Sequence, residues 1–228
     1  MRASRIWNAF LALVVLVAMI TQIVLVIGGG TDVNAVTTEG DPGVGTRLIR
    51  LFSYFTIQSN LLVLASAALI AWRPDGDGPF QRVLRLDALL GIVVTGLVYE
   101  TVLAPLVHPT GLALWITVAF HYFAPWFTTI GWLLFGPRPR IDDRTLLLAF
   151  IWPGLWIAYT FAHGAVSDWY PYPFLDVTEI GYARSLRNTV VVLLGAVVLA
   201  LAFAWLDRRL PVWSGGSWVR VRNADSRE

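Results

Sequence analysis

The chain has 228 residues, of which 57% are hydrophobic and 14% charged, with a formal charge of +2 and no cysteine. A charged share this far below the roughly one quarter of soluble domains excludes an ordinary soluble globular protein, and the small net charge excludes an electrostatic nucleic-acid binder. The absence of cysteine excludes disulfide staples and thiolate metal sites.

Six apolar segments are long enough to cross a bilayer, which takes about 20 residues. They fall at about 6–27, 48–72, 86–104, 112–135, 145–163 and 186–206, predicting an all-α, polytopic bundle of six transmembrane helices in one domain. The first run is too long for a signal-peptide core, and GGGTDVNAV after it offers no cleavage site, so it is read as a span. All 17 basic residues are Arg, a bias that suits a GC-rich bacterial genome. Thirteen Arg lie before span 1, between spans 2 and 3, between spans 4 and 5, and after span 6; only Arg47, Arg50, Arg184 and Arg187 lie in the alternate loops. The positive-inside rule then places both termini in the cytoplasm of a bacterial plasma-membrane protein. Residues 207–228 form an Arg-rich cytoplasmic tail, expected to hug the surface or stay disordered. Two long external loops remain, about 28–47 and 164–185; the aromatic, proline-rich SDWYPYPFLDVTEIGY suits a cap at the outer interface.

The informative residues are the polar ones inside these runs. In span 2, Ser53, Thr56, Ser59 and Asn60 recur at spacings of three and four and share one helix face. Thr56 lies about 12 Å below the outer end of its span. In span 3, Asp87 sits at the cytoplasmic start, expected to cap or anchor the helix, while Tyr99 and Glu100 lie near the outer end. Span 4 carries Thr117, His121 and Pro125, with His121 about 14 Å deep, close to the depth of Thr56. Pro125 has no N–H, so the His121 carbonyl loses its intrahelical donor and a bend is expected there. His163 closes span 5 on the outer side, with Asp176 in the loop beyond. A buried imidazole in hydrocarbon needs a reason, whereas a lone Thr in a span is ordinarily explained by packing. The case for a site therefore rests on shared depth. No GxSxG elbow, HExxH or phosphate-cradling glycine loop occurs, and His108, His121 and His163 are dispersed, so neither metal nor cofactor is expected.

Three elements resemble a known family, the androgen-induced membrane proteins and their relative, the androgen-dependent regulator of tissue factor pathway inhibitor. These are the pair Phe55–Thr56 early in span 2, His121 followed by Pro125, and the outer stretch His163, Trp169 and YPFLD at Tyr172–Asp176. The stretch IQSNLLV after Thr56 is more polar than in the animal proteins. The resemblance implies a membrane threonine hydrolase acting on fatty acid esters of hydroxy fatty acids, with Thr56 as nucleophile and His121 as base. The chemistry is self-consistent, since a hydroxyl is a weak nucleophile that needs a neutral imidazole within hydrogen-bond reach. Ser59 or Asn60 is then a candidate oxyanion donor. Tyr99, Glu100, His163 and Asp176 are candidates to orient His121 or meet the substrate, and the choice among them is open. The substrate partner is a membrane lipid ester, and oligomeric state is unspecified. The alternative is a non-catalytic lipid-binding or transport protein with a polar pocket opening to the outer face.

Overall fold

The computed structural model describes residues 2–30, 42–214 and 217–219. The described residues form helices joined by short loops, with one short hairpin, β1 (Val212–Ser214) paired antiparallel with β2 (Ser217–Val219). Five helical stretches are long and apolar enough to cross a membrane: Arg2–Ile27, Phe55–Trp72, Pro79–Leu106, Asp143–Ser167 and Val177–Arg209. Their outward faces carry exposed aliphatic side chains, Leu13, Leu16 and Val24 on the first and Val190, Leu194, Val198 and Leu201 on the last. Apolar faces of that extent are stable where the surrounding solvent is lipid.

Helix α1 (Arg2–Ile27) is regular. The second apolar run is not. It divides into α2 (Val44–Ser53) and α3 (Phe55–Trp72) at Tyr54, whose ψ of 132° is extended. The break strands carbonyls at the end of α2, and side chains take them up: Ser53 Oγ donates to Ile49, Gln58 Nε2 to Phe52, and Trp156 Nε1 to Ser53. Polar backbone away from water is otherwise costly. The expected uninterrupted span 2 is therefore corrected, and Thr56 becomes the second residue of a helix.

Helix α4 (Pro79–Val98) continues as a wide π turn over Tyr99–Leu103 and a 3-10 turn over Ala104–Leu106. The run Gly111–Phe135 is helical throughout, as α5 (Gly111–Val118), a π turn over Ala119–Phe123 and α6 (Ala124–Phe135). That π turn lies where Pro125 removes a donor, which is the physical reason the expected bend takes this form. Helices α7 (Asp143–Ala149) and α8 (Ile151–Ser167) meet at Phe150, before Pro153. Helix α9 (Val177–Arg209) turns sharply at Gly181, whose φ of 75° glycine adopts without strain.

Two further expectations change, and a third is only partly covered. Asp87 does not cap α4, which starts at Pro79; the carboxyl is buried well along the helix, and its Oδ1 has no hydrogen-bond partner. The Arg-rich tail begins as ordered structure, because α9 extends to Arg209 and the hairpin follows. Of the first long loop, residues 31–41 lie outside the described residues.

Helices α1, α3 and α4 pack closely side by side, and α6 joins them against α1 and α4. Helices α8 and α9 stand further from α4 and reach it through large side chains. The ring of Trp152, for example, fills the space beside Gly91, where an added Cβ would lie 2.9 Å from it. Tyr54, Ile57, Tyr99, Phe120, Trp156, Tyr172 and Leu175 form one core cluster, at the end of the bundle that carries the 168–176 loop.

Candidate functional site

Thr56 and His121, remote in sequence, meet in this cluster. Thr56 Oγ1 lies 3.4 Å from His121 Nε2, and both residues are buried, at 3% exposure each. The α2–α3 break places Thr56 in the first turn of α3, where backbone N–H groups lack intrahelical acceptors and the helix dipole is positive. Tyr54 O receives the N–H groups of Ile57 and Gln58, while Thr56 N–H donates to the Tyr172 hydroxyl at 3.2 Å.

His121 is held on both sides. Its Nδ1 is 3.1 Å from the Thr117 carbonyl, which can only accept, so Nδ1 carries the proton in the neutral ring and Nε2 presents its lone pair to Thr56. Tyr99 stacks on the imidazole with centroids 3.9 Å apart and planes 24° from parallel. The two π turns bring this stack about, since Tyr99 opens one and His121 lies in the other. Gly96 permits the close approach, because a Cβ there would lie 3.2 Å from the His121 carbonyl and 3.1 Å from Pro125.

Tyr172 was not among the sequence-derived candidates, although it lies within the YPFLD stretch. Its hydroxyl is 3.3 Å from Thr56 Oγ1 as well as 3.2 Å from Thr56 N. Its ring is set against Tyr54, Trp156 and Phe174. The available signal was a tyrosine in an aromatic loop above the bundle, and nothing in its spacing pointed at Thr56. The loop is held in turn by Tyr170, whose ring occupies the space over Gly164.

The remaining candidates take other places. Ser59 Oγ and Asn60 Nδ2 both donate to the Thr56 carbonyl, at 3.1 and 2.8 Å, so they brace the backbone of α3 below the hydroxyl. Ser59 also meets Thr95 at 2.8 Å. Glu100 accepts from the Tyr122 hydroxyl at 2.7 Å on the exposed side of the stack. His163 contacts Ser167, Tyr159 and Trp169. Asp176 caps α9 through the Thr178 N–H at 2.9 Å. None of these three bonds to His121, because the Thr117 carbonyl one turn earlier already takes its Nδ1. Among the described residues, no three His, Asp or Glu side chains cluster as a metal site.

Thr56 and Tyr172 also line one end of an elongated crevice between α4, α8 and α9. Its walls are apolar, built from residues such as Leu90, Val94, Trp156, Val192 and Ala196, and Asp87 lies toward its far end. The internal space of about 80 Å³ suits a narrow aliphatic chain better than a bulky polar ligand. The arrangement thus offers a hydroxyl, an imidazole lone pair, a tyrosine hydroxyl that meets both the N–H and the Oγ1 of Thr56, and an apolar slot. No family model, curated protein or solved structure matches the chain.

Proposed function

We propose that the protein is an intramembrane lipid-ester hydrolase with Thr56 as nucleophile and His121 as general base. The observation that carries this reading is the 3.4 Å approach of Thr56 Oγ1 to the unprotonated Nε2 of a histidine whose other nitrogen is committed to the Thr117 carbonyl. The order of groups is that of a nucleophile, a base and a group that orients the base. Here a backbone carbonyl performs the last role.

In the proposed reaction, Thr56 Oγ attacks the ester carbonyl and its proton passes to His121 Nε2. The oxyanion lodges between the Thr56 N–H and the Tyr172 O–H, at the positive end of α3. Collapse breaks the bond to the alcohol oxygen, which takes the proton from His121 and leaves an acyl-threonine. Water then gives its proton to His121, attacks the acyl carbon, and releases the fatty acid as Thr56 recovers its proton. The acyl chain occupies the crevice between α4, α8 and α9. By the family resemblance, the substrate class is fatty acid esters of hydroxy fatty acids. In the membrane, Gly111–Phe135 serves as span 4 and brings the count to six, and the Arg distribution puts both termini in the cytoplasm of a bacterial cell and the site in the outer half of the bilayer.

The test is covalent labelling of the detergent-purified protein by a long-chain fluorophosphonate, with wild type compared to Thr56→Ala and His121→Ala. Labelling that maps to Thr56 and is lost in both variants is expected. A folded wild type that neither labels nor turns over a generic acyl ester would favour the lipid-binding or transport reading, for which the apolar crevice alone suffices.

A further inference from the structure

A second cavity lies at the opposite end of the bundle, bounded by α1, α3, α4 and α6 together with the 136–141 segment, and it is lined by charge. Arg82, Arg85, Arg140 and Asp207 face it, beside Trp7 and Trp132. Two of the three guanidinium groups have counter-charges. Arg82 chelates Asp77 at 2.7 and 2.9 Å and reaches Asp142 at 3.2 Å, while Arg140 meets Asp77 at 2.5 Å. Arg85 feels Asp77 only at a distance, with no direct pair: both its Nη1 and Nη2 atoms are buried without a hydrogen-bond partner. Asp207 is already engaged through Oδ2, which accepts the backbone N–H groups of Arg140 and Ile141 at 2.6 and 2.9 Å, leaving Oδ1 buried and unpartnered.

A buried guanidinium whose N–H groups have no acceptor is costly unless something fills its fork. A tetrahedral phosphate matches that fork bidentately. The cavity holds about 60 Å³ of internal space, which at roughly 10–15 Å³ per water-sized position is room for about four to six oxygen-sized atoms. The lone Oδ1 of Asp207 is an acceptor that a phosphate oxygen cannot satisfy but a hydroxyl can.

We propose that this cavity binds a hydroxyl-bearing phosphate ester, with the phosphate on the fork of Arg85, flanked by Arg140 and Arg82, and the hydroxyl on Asp207 Oδ1. The chemistry is shared by a glycerol-phosphate lipid headgroup and by a free phosphate ester. Basic pockets between membrane helices are known to hold anionic headgroups. The site is independent of Thr56 and His121 and stands whether or not the protein is a hydrolase.

The test measures binding to the full-length protein in a non-ionic maltoside micelle, using phosphatidylglycerol, phosphatidylcholine and free glycerol 3-phosphate as probes. Saturable binding of phosphatidylglycerol, at least tenfold tighter than phosphatidylcholine, identifies a lipid headgroup. Equal binding of glycerol 3-phosphate identifies a free ester. Arg85→Gln is expected to weaken binding at least tenfold, and exposed Arg144→Gln to leave it unchanged. Should Arg85→Gln fail to fold, Arg85→Lys keeps the charge but loses the fork and is expected to bind several-fold more weakly. Absence of saturable binding to wild type, or unchanged affinity in the Arg85 variant that folds, overturns the proposal.

Discussion

His121 Nδ1–H donates to the Thr117 carbonyl across 3.1 Å, and His121 lies one helical turn before Pro125. With Nδ1 committed, the ring has one free lone pair, and it points at Thr56. Tyr99 closes the opposite face of the ring. A histidine fixed this way can exchange a proton with Thr56 without reorienting, which is the preorganisation that general-base catalysis needs.

Removal of the base is expected to be severe and selective. His121→Ala should lower kcat on a long-chain fluorogenic ester by about 10²–10⁴-fold. Thr56→Ser should keep measurable turnover, since it retains the hydroxyl, and Thr56→Ala should not. Steady-state kinetics on the three purified variants, with melting curves to confirm folding, check the ordering.

Tyr172→Phe removes one hydroxyl and leaves the aromatic packing against Tyr54, Trp156 and Phe174. If that hydroxyl meets the oxyanion, kcat falls about 10²–10³-fold while KM changes little. A loss of less than threefold in kcat would reduce Tyr172 to a packing residue.

The crevice predicts a chain-length effect. Ala196 lines it from α9, and Ala196→Phe places a ring in the slot. Long-chain esters should then lose kcat/KM by tenfold or more, with short-chain esters nearly unchanged, because burial of each CH₂ is worth about 0.8 kcal/mol. A series of esters differing only in acyl length measures this directly.

Gly164 has no room for a side chain, because the Tyr170 ring occupies the space over it. Gly164→Leu should lift the 168–176 loop from α8, destabilise the fold by about 1–3 kcal/mol and displace the Tyr172 hydroxyl. Thermal melting and ester turnover should fall together, whereas Gly154→Ala on the same helix, facing open space, should lower neither.

At the other end of the bundle, the Arg82 guanidinium beside Asp77, helped by Arg140, holds the Asp77 carboxyl below the usual carboxylate range. A carboxyl depressed in the folded state contributes stability that is present above its unfolded value and lost as pH falls through the folded one. Asp77→Asn should therefore be less stable than wild type at pH 7, by about 1 kcal/mol for a partly exposed pair, with the gap closing below about pH 4. Melting temperatures from pH 3 to pH 7 give the comparison.

The apolar length of the helices, most of the helical segments and the similar depth of Thr56 and His121 were legible in the chain. Apolar run length is a local quantity, and so is the burial of polar side chains that recur on one helix face. Thus Ser53, Thr56, Ser59 and Asn60 were read as one stripe, and all four are buried. Pro125 announced a disturbance beside His121 because a missing N–H is written in the residue itself.

Other features depended on partners remote in sequence. The break at Tyr54 is tolerated only because Gln58 and Trp156 satisfy the carbonyls it exposes, and Trp156 is more than a hundred residues away. That break turns a mid-span threonine into one at a helix N-terminus. Ser59 and Asn60 brace the Thr56 carbonyl instead of facing the hydroxyl, a distinction of direction that face periodicity does not resolve. Glu100, His163 and Asp176 shared a side of the bundle with His121, yet side alone does not set contact, and a backbone carbonyl on its own helix was nearer. The chain by itself determined which segments are apolar and which polar residues they must bury, since those are sums over neighbours in sequence. Only the tertiary structure decided that Tyr172 meets Thr56 and that Arg85 keeps two buried nitrogens without an acceptor, because hydrogen-bond partners are chosen by distance in space.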